Sequence, residues 1–360
     1  MGRAGILLLL LLALGVRSLT AQAEATGGAK VPIPKDDGRR GVIRLQFPAS
    51  HPNSDIRRIA HRMGWTMSFI RKNDPVAKHA IKECSYVAYV PKSYDAKNPA
   101  GIMVWVPVGV EGGFPSEWIK VLEKRNLIGI SANRSGNDRL IWYRVALAID
   151  AAFNLKKSYS IDDERVYVAG YSGGGRVASR VAMHYPGIFH GGIYNGGCNY
   201  FKRIPRPAAD RAYWPKRFPR PRGRATGLVR TRSRHVFVCG ATDPNRAQSL
   251  GIYRDMKRNE RFNNVAWIEI PAVGHVYPDN HWFAKTLDAL EAPLLEARAK
   301  KQRAAAKRDL RRRLIKLGQP EREAARAAAK KKRDAKILEQ KQKAVIERAK
   351  KRAAEKSKLK

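Results

Sequence analysis

One serine stands where its hydroxyl could act as a nucleophile. Ser172 lies in the run Gly170-Tyr-Ser-Gly-Gly174, which matches the pattern G-x-S-x-G. Residues 166–168 before it are β-branched or aromatic and predict a short buried strand, and residues 177–184 after it repeat with a helical period. A strand, a glycine-flanked serine and a helix together indicate a nucleophile elbow, a strained turn that raises the hydroxyl above the sheet. The alternative is a glycine-rich turn with an incidental serine.

A serine hydroxyl attacks a carbonyl only with an adjacent base, and the base needs an acid to orient it. In an elbow fold these partners follow the serine in the order acid, then histidine. Asp243 fits the acid, because it comes directly after the predicted strand 234–239, in a turn that Pro244 fixes. The other use of Asp243 would be to cap the helix that starts at Asn245.

The candidate base is His275. It follows the predicted strand 265–270 and is preceded by a glycine, whereas the competing His281 stands at the start of the last predicted helix. Strand position and chain order therefore predict a triad of Ser172, Asp243 and His275 that performs acyl transfer.

An acyl-transfer site also needs two N–H donors for the oxyanion. The first expected donor is the backbone of Gly173, the residue after the nucleophile. The second is expected in the loop after the apolar run 101–108, where Gly109 and Val110 are both candidates.

These residues must be positioned by alternating strands and helices. The pattern predicts strands at 86–90, 101–108, 127–131, 166–168, 191–194, 234–239 and 265–270. It predicts helices at 56–67, 116–125 (with Ser116 as N-cap), 140–156, 177–184, 245–258 and 280–298. Such alternation is typical of an α/β fold with a doubly wound, mainly parallel sheet, which binds ligands at the carboxyl ends of its strands.

The chain divides by composition. Residues 1–23 match a secretory signal peptide, with Arg3, an apolar core at 6–16 and a cleavage site after Ala23. Residues 24–41 predict a linker and 42–297 the α/β domain, while 298–360 form a basic tail of helical or disordered character. We therefore expect an exported protein, periplasmic or extracellular, with no integral membrane segment after cleavage, and the alternative is an uncleaved N-terminal anchor.

The net charge of +40 is unevenly distributed. The 63 residues from Arg298 to Lys360 carry 26 Lys or Arg and 7 Asp or Glu, a net charge of +19. A field of this size attracts polyanions or anionic surfaces, although simple solvation of the tail is the alternative.

Residues 200–232 interrupt the alternation with a proline-rich insertion, which indicates a lid or binding loop. Trp214 within it, together with Trp118 and Trp142, is a candidate for contact with substrate. Of the three cysteines, Cys198 and Cys239 are the best pair for a disulfide, and buried free thiols are the equal alternative. No cysteine–histidine pattern indicates a metal.

The residues from about 84 to 297 resemble the α/β-hydrolase superfamily, and within it secreted esterases of the feruloyl esterase and polyhydroxyalkanoate depolymerase type. The segments that carry the resemblance are Tyr89-Val-Pro-Lys-Ser-Tyr94, Ser160-Ile-Asp-Asp-Glu-Arg-Val-Tyr-Val-Ala-Gly-Tyr-Ser-Gly-Gly-Gly175 and Tyr185-Pro-Gly-Ile-Phe189. The resemblance implies a small or polymeric ester as substrate, the Ser172–Asp243–His275 triad and no cofactor.

One departure from that family concerns the oxyanion loop. The family usually has His-Gly after the oxyanion strand, whereas this chain has Pro107-Val108, with Gly109 one place later. Two alternatives to an esterase remain. One is a serine peptidase, which would use the same triad on the same fold, and the other is a non-catalytic hydrolase-like protein that binds polyanions, which this departure favours.

Overall fold

The structure is a computed structural model that describes residues 36–207 and 212–357. The signal peptide predicted at 1–23 lies outside the described residues. The chain separates into two compact units, one ending at Glu291 and the other beginning at Ala292. No helix among the described residues is both long and apolar enough to cross a membrane.

Eight strands form one sheet in the order β1-β2-β4-β3-β5-β6-β9-β10. Their bounds are β1 Gly41–Gln46, β2 Ser85–Val90, β3 Ala100–Val106, β4 Leu127–Ala132, β5 Ile161–Tyr171, β6 Gly191–Asn195, β9 Arg234–Gly240 and β10 Asn264–Ile270. β2 is antiparallel to both of its neighbours, and the pairs from β4 to β10 are all parallel. This confirms the predicted doubly wound, mainly parallel sheet of the α/β-hydrolase fold.

The helices of the first unit flank this sheet. They are α1 Ile56–Met63, α2 Met67–Asn73, α3 Trp118–Lys124, α4 Ile141–Ser158, α5 Gly173–His184, α6 Arg224–Thr231 and α7 Arg246–Arg254, with a π-helical turn at Asp255–Asn259. The last two helices, α8 Asn280–Leu317 and α9 Gln319–Ser357, extend through the second unit and give the predicted basic helical tail.

Both faces of the sheet are covered, because the side chains of each central strand alternate between two apolar cores. On β3, Ile102, Val104 and Val106 belong to the core that contains α4 and α5, and Met103 and Trp105 belong to the core on the opposite face. That second core also contains residues of α3 and the first turns of α8. A sheet buried on both faces explains the continuous apolar runs in the sequence.

Two local predictions were wrong. The single helix predicted at 56–67 is two helices, because Gly64 adopts a left-handed conformation (φ +74°) that ends α1, and Thr66 caps α2 by accepting from Phe69 N. Ser116 does not cap α3, which starts after Glu117 with no side-chain cap bond. The insertion contains α6 and a two-stranded hairpin of β7 Ile204–Pro205 and β8 Tyr213–Trp214.

Candidate active site

Ser172 lies at the carboxyl end of β5, between the strand and α5. It has φ +52° and ψ −116°, a left-handed conformation that is costly for a residue with a side chain. Its N–H donates to Asn195 O at 2.8 Å, and its carbonyl accepts from Arg176 N at 3.1 Å. A Cβ on Gly174 would collide with the carbonyl of Val106, so α5 can approach β3 closely only with glycine there. The turn therefore has the strain and the close packing of a nucleophile elbow.

Asp243 follows β9, as the sequence predicted. Its side chain is 2 % exposed and accepts two hydrogen bonds. Oδ1 accepts from Asn245 N at 2.7 Å, and Oδ2 lies 2.8 Å from His275 Nδ1. The carboxylate therefore closes the local turn with one oxygen and orients the histidine with the other.

His275 follows β10 and has a ring that is 29 % exposed. Thr242 holds its loop against the Asp243 loop, since both the N–H and the hydroxyl of Thr242 donate to Val273 O at 3.0 Å. The competing histidine, His281, is exposed and packs against Trp282. The structure thus joins His275, and not His281, to Asp243.

A pair of glycines lies between the serine and the Asp243–His275 pair. A Cβ on Gly196 would stand 2.9 Å from Asp243 Oδ2 and 3.0 Å from His275 Cε1. A Cβ on Gly197 would collide with the carbonyl of Ser172. All three predicted triad residues therefore border one short segment after β6. Among the described residues no hydrogen bond joins the Ser172 hydroxyl to His275; such bonds often form only when substrate is bound.

The predicted oxyanion loop is braced by the segment that follows β4. Val108 O accepts from Asn137 N at 2.9 Å, and Val110 O accepts from Arg134 N at 2.5 Å. Gly109 and Val110 are both exposed on this loop, and a Cβ on Gly136 would collide with the carbonyl of Gly109. Gly173, the other predicted donor, is the first residue of α5.

Sequence reasoning missed two residues beside the elbow. The side-chain amide of Asn137 lies directly over Gly173, and Arg144 of α4 donates from Nη1 to Asn137 Oδ1 at 3.2 Å. Burial lowers the pKa of Arg144 to about 10. The sequence places Asn137 after β4, at the same edge of the sheet as Ser172, but it does not record the contact of Asn137 with Gly173.

The tryptophans predicted to contact substrate lie in three different places. Trp118 is fully buried, stacks on Phe283 at 4.1 Å between ring centroids and donates from Nε1 to Pro278 O. Trp142 is buried on α4 against Trp65. Trp214 is half-buried in the hairpin of the insertion. The structure does not bring the three together, and Trp118 and Trp142 offer little surface to a ligand.

The aromatic side chain that does contact His275 is Tyr171. The ring of Tyr277 lies on Tyr171 at a centroid distance of 4.3 Å and is 40 % exposed. Burial raises the pKa of the Tyr277 hydroxyl. These tyrosines form the wall beside the base.

Two further observations bear on ligands. Two clefts have a volume of about 600 Å³ each. The first is lined by residues within 204–207 and 246–259 and the second by residues within 50–57 and 67–79, so neither lining includes a predicted triad residue. Cys84, Cys198 and Cys239 are free thiols. Within 36–207 and 212–357, no three or more His, Cys, Asp or Glu side chains gather as a metal site.

Comparison with known proteins gives likeness in structure only. No family model and no curated protein match the sequence. A thermophilic esterase from the planctomycete Thermogutta terrifontis is similar over 59 % of this chain and 88 % of its own, with 13 % identity and a TM-score of 0.43. A thermostable esterase aligns over 59 % of each chain, with 14 % identity and a TM-score of 0.41.

A structure assigned as a dipeptidyl aminopeptidase IV, from Bacteroides ovatus, aligns over 71 % of this chain and 36 % of its own, with 15 % identity and a TM-score of 0.45. Similarity at this level gives no evidence about the activity of this chain.

Proposed function

We propose that this chain is an exported serine hydrolase that cleaves carboxylic esters, of the feruloyl esterase and polyhydroxyalkanoate depolymerase type. The observation that carries the proposal is the pairing of Asp243 with His275 at 2.8 Å across Gly196 from a strained Ser172. The backbone of Ser172, with φ +52° and ψ −116°, is in a conformation that is costly for a residue with a side chain, as a nucleophile elbow requires.

In the proposed acylation step, Ser172 Oγ attacks the ester carbonyl carbon and its proton passes to His275 Nε2. Asp243 accepts from Nδ1 and stabilises the imidazolium. The carbonyl oxygen becomes an oxyanion, which the Gly173 N–H stabilises. When the carbon–oxygen bond to the alcohol breaks, His275 returns the proton to the departing alkoxide. An acyl-enzyme on Ser172 and a free alcohol remain.

Deacylation repeats these steps with water. His275 takes a proton from the water as its oxygen attacks the acyl carbon, and then returns the proton to Ser172 Oγ as the carboxylic acid leaves. No cofactor is needed for either half of the reaction.

The test is labelling with a fluorophosphonate probe, which phosphonylates activated serines. We expect labelling of the wild-type protein and of Ser68→Ala, a matched control on the exposed face of α2, and none of Ser172→Ala. Hydrolysis of p-nitrophenyl acetate and butyrate should be lost in the same variant. Labelling that survives Ser172→Ala contradicts the assignment.

Turnover on esters and amides separates the proposal from its alternatives. The expected result is hydrolysis of p-nitrophenyl esters and none of peptide p-nitroanilides. Amide cleavage at a similar rate would indicate a peptidase. Absence of both turnover and labelling would favour the non-catalytic interpretation, which the Pro107-Val108 departure motivates.

We also propose that the segment 298–360, here called the basic tail, holds the enzyme on polyanions or anionic surfaces. Nearly all of its described side chains are exposed, so its cations are available to a partner. Truncation after Ala297 should weaken heparin binding and flatten its dependence on salt, with ester turnover unchanged. Unchanged heparin affinity would show that the tail is not the binding segment.

A further inference from the structure

The amide of Asn137 occupies the space directly above the first residue of α5. A Cβ on Gly173 would collide with Asn137 Oδ1 and would stand 2.7 Å from Cγ and 3.0 Å from Nδ2. The amide group therefore packs on Gly173, whose own N–H is the first oxyanion donor of the proposed mechanism. The three heavy atoms nearest to that Cβ position all belong to the Asn137 amide.

The orientation of this amide follows from its neighbour. The Arg144 guanidinium has only donors, so the amide atom that faces Nη1 at 3.2 Å is the acceptor Oδ1. Arg144 cannot turn away easily, since it is 5 % exposed and Nη2 donates to Pro107 O at 2.8 Å. Oδ1 is thereby held toward Arg144, and Nδ2 is the amide atom that does not face the guanidinium.

The backbone of Asn137 is held as well, because its N–H donates to Val108 O at 2.9 Å. Asn137 itself is exposed, and among the described residues Nδ2 has no hydrogen-bond partner. Asn137 is therefore held at its backbone N–H and at Oδ1, and its Nδ2 is a donor beside the turn that carries Ser172. A Cβ on Gly109, by contrast, would meet nothing within 4 Å.

We propose that Asn137 Nδ2 is the second donor of the oxyanion hole, beside the Gly173 N–H, and that Arg144 is the residue that positions it. This inference rests on the proposed function, because an oxyanion forms only if Ser172 attacks a carbonyl. It also accounts for the unusual Pro107-Val108 loop. In this proposal a side chain from the loop after β4 supplies the second oxyanion donor, which α/β-hydrolases usually take from a backbone N–H of the loop after β3.

The charge of Arg144 strengthens this donor. A cation on Oδ1 polarises the amide and makes the N–H bonds of Nδ2 more acidic, as in other hydrogen-bond chains in a low-dielectric surrounding. The positive charge of Arg144 would then stabilise the oxyanion through the polarised Asn137 amide, although the guanidinium itself does not contact the substrate.

The test compares Asn137→Ala and Asn137→Asp with Asn73→Ala, an exposed asparagine on α2. Removal of one oxyanion donor lowers kcat by about 10²–10³ with little change in KM, because the donor acts mainly in the transition state. Asp is nearly isosteric with Asn but presents no amide donor, so Asn137→Asp should lose as much activity as Asn137→Ala. Asn73→Ala should match the wild type.

A tetrahedral analogue gives an independent measurement. A trifluoromethyl ketone forms an adduct with the serine whose oxyanion occupies the hole, so its affinity should fall in parallel with kcat. Binding of the product acid should be unchanged. If kcat and inhibitor affinity of Asn137→Ala remain within threefold of the wild type, the inference is overturned.

Failure of the inference is distinguishable from failure of the proposed function. Long incubation with the fluorophosphonate should still label Asn137→Ala to one equivalent, which shows an intact Ser172 and base. If the wild type itself does not label, the proposed function fails and the inference with it.

Arg144 is tested by a double-mutant cycle. Arg144→Gln should lower kcat about tenfold through a misplaced amide, and it should have no further effect once Asn137 is alanine. Additive losses would mean that Arg144 acts on the site by another route.

Discussion

The ring of His275 lies against Tyr171, with centroids 4.6 Å apart and planes inclined by 30°. The Tyr171 hydroxyl donates to His275 O at 2.6 Å. Burial, followed by the charge of Asp243, raises the pKa of this hydroxyl to about 12. Because Tyr171 directly precedes Ser172, the end of one strand carries the nucleophile and supports the base.

Tyr171→Phe removes only this hydroxyl. We expect kcat to fall about three- to tenfold, because the His275 loop loses one of its anchors, and the free energy of unfolding to fall by about 1 kcal/mol. The measurements are ester kinetics and urea unfolding. Tyr185→Phe is the matched control, since the buried Tyr185 hydroxyl has no hydrogen-bond partner among the residues that the structure describes, and it should leave kcat unchanged. Equal kcat values in both variants would contradict the role given to Tyr171.

Asp243→Asn tests the acid. An asparagine can still accept from Asn245 N, but it cannot stabilise the imidazolium, so kcat should fall by about 10³–10⁴ with the fold retained. Asp255→Asn is a control for the loss of a buried carboxylate. Asp255 binds Lys202, Tyr200 and Asn259, so that variant should lose stability and keep its kcat. More than a tenth of wild-type kcat in Asp243→Asn would exclude Asp243 as the acid.

Gly196→Ala should separate the triad residues. Gly196 has φ +56°, and its new methyl group would crowd both Asp243 and His275. We expect kcat to fall by at least 10² and the free energy of unfolding to fall by about 1 kcal/mol or more. At Gly187 a Cβ meets nothing within 4 Å and φ is not positive, so Gly187→Ala should behave like the wild type. A fully active Gly196→Ala enzyme would mean that this segment does not separate the residues as described.

Acid should destabilise the fold before its carboxylates titrate. Burial, followed by the charges of Arg62 and Arg180, lowers the pKa of His184 from 6.5 to about 4, and burial does the same for His235. Both histidines take up protons more readily when unfolded, so their stabilising contribution is complete above pH 6.5 and is lost as the pH falls toward 4. The free energy of unfolding should decrease there by up to about 1.4 kcal/mol per pH unit for each histidine.

Urea unfolding at pH 7.5 and pH 5 measures this slope. His184→Gln removes one titrating group and should reduce the slope, while His235, His51 and His190, whose pKa values burial also lowers, keep the remainder. An equal slope in wild type and variant would show that His184 does not contribute.

The elbow and the chain order of its partners were predictable because they depend on local patterns at strand ends, which a parallel sheet brings to one edge. The positions of the aromatic side chains were harder to predict from the sequence. A tryptophan in the sequence does not reveal which face it occupies, and Trp118 belongs to the packed core with Phe283. β1 was missed because it lies at the edge of the sheet, where alternate residues are exposed and its apolar pattern is weak.

Asn137 was missed for a different reason. Its place in the site depends on a contact with Gly173 and on Arg144 from another helix, and no sequence spacing records such contacts. Side chains that enter a site from a neighbouring loop become visible only when the strands are arranged in space.

The position of the strands predicts different opening free energies for the two halves of the site. Ser172 ends β5 in the middle of the sheet, while His275 follows β10, the last strand, which pairs on one side only with β9. Most β10 residues are only half-buried. Edge strands open more readily than central ones, so His275 would separate from Ser172 while the rest of the sheet stays intact. On heating, the enzyme would become inactive before it unfolds, and it would recover as soon as that strand pairs again.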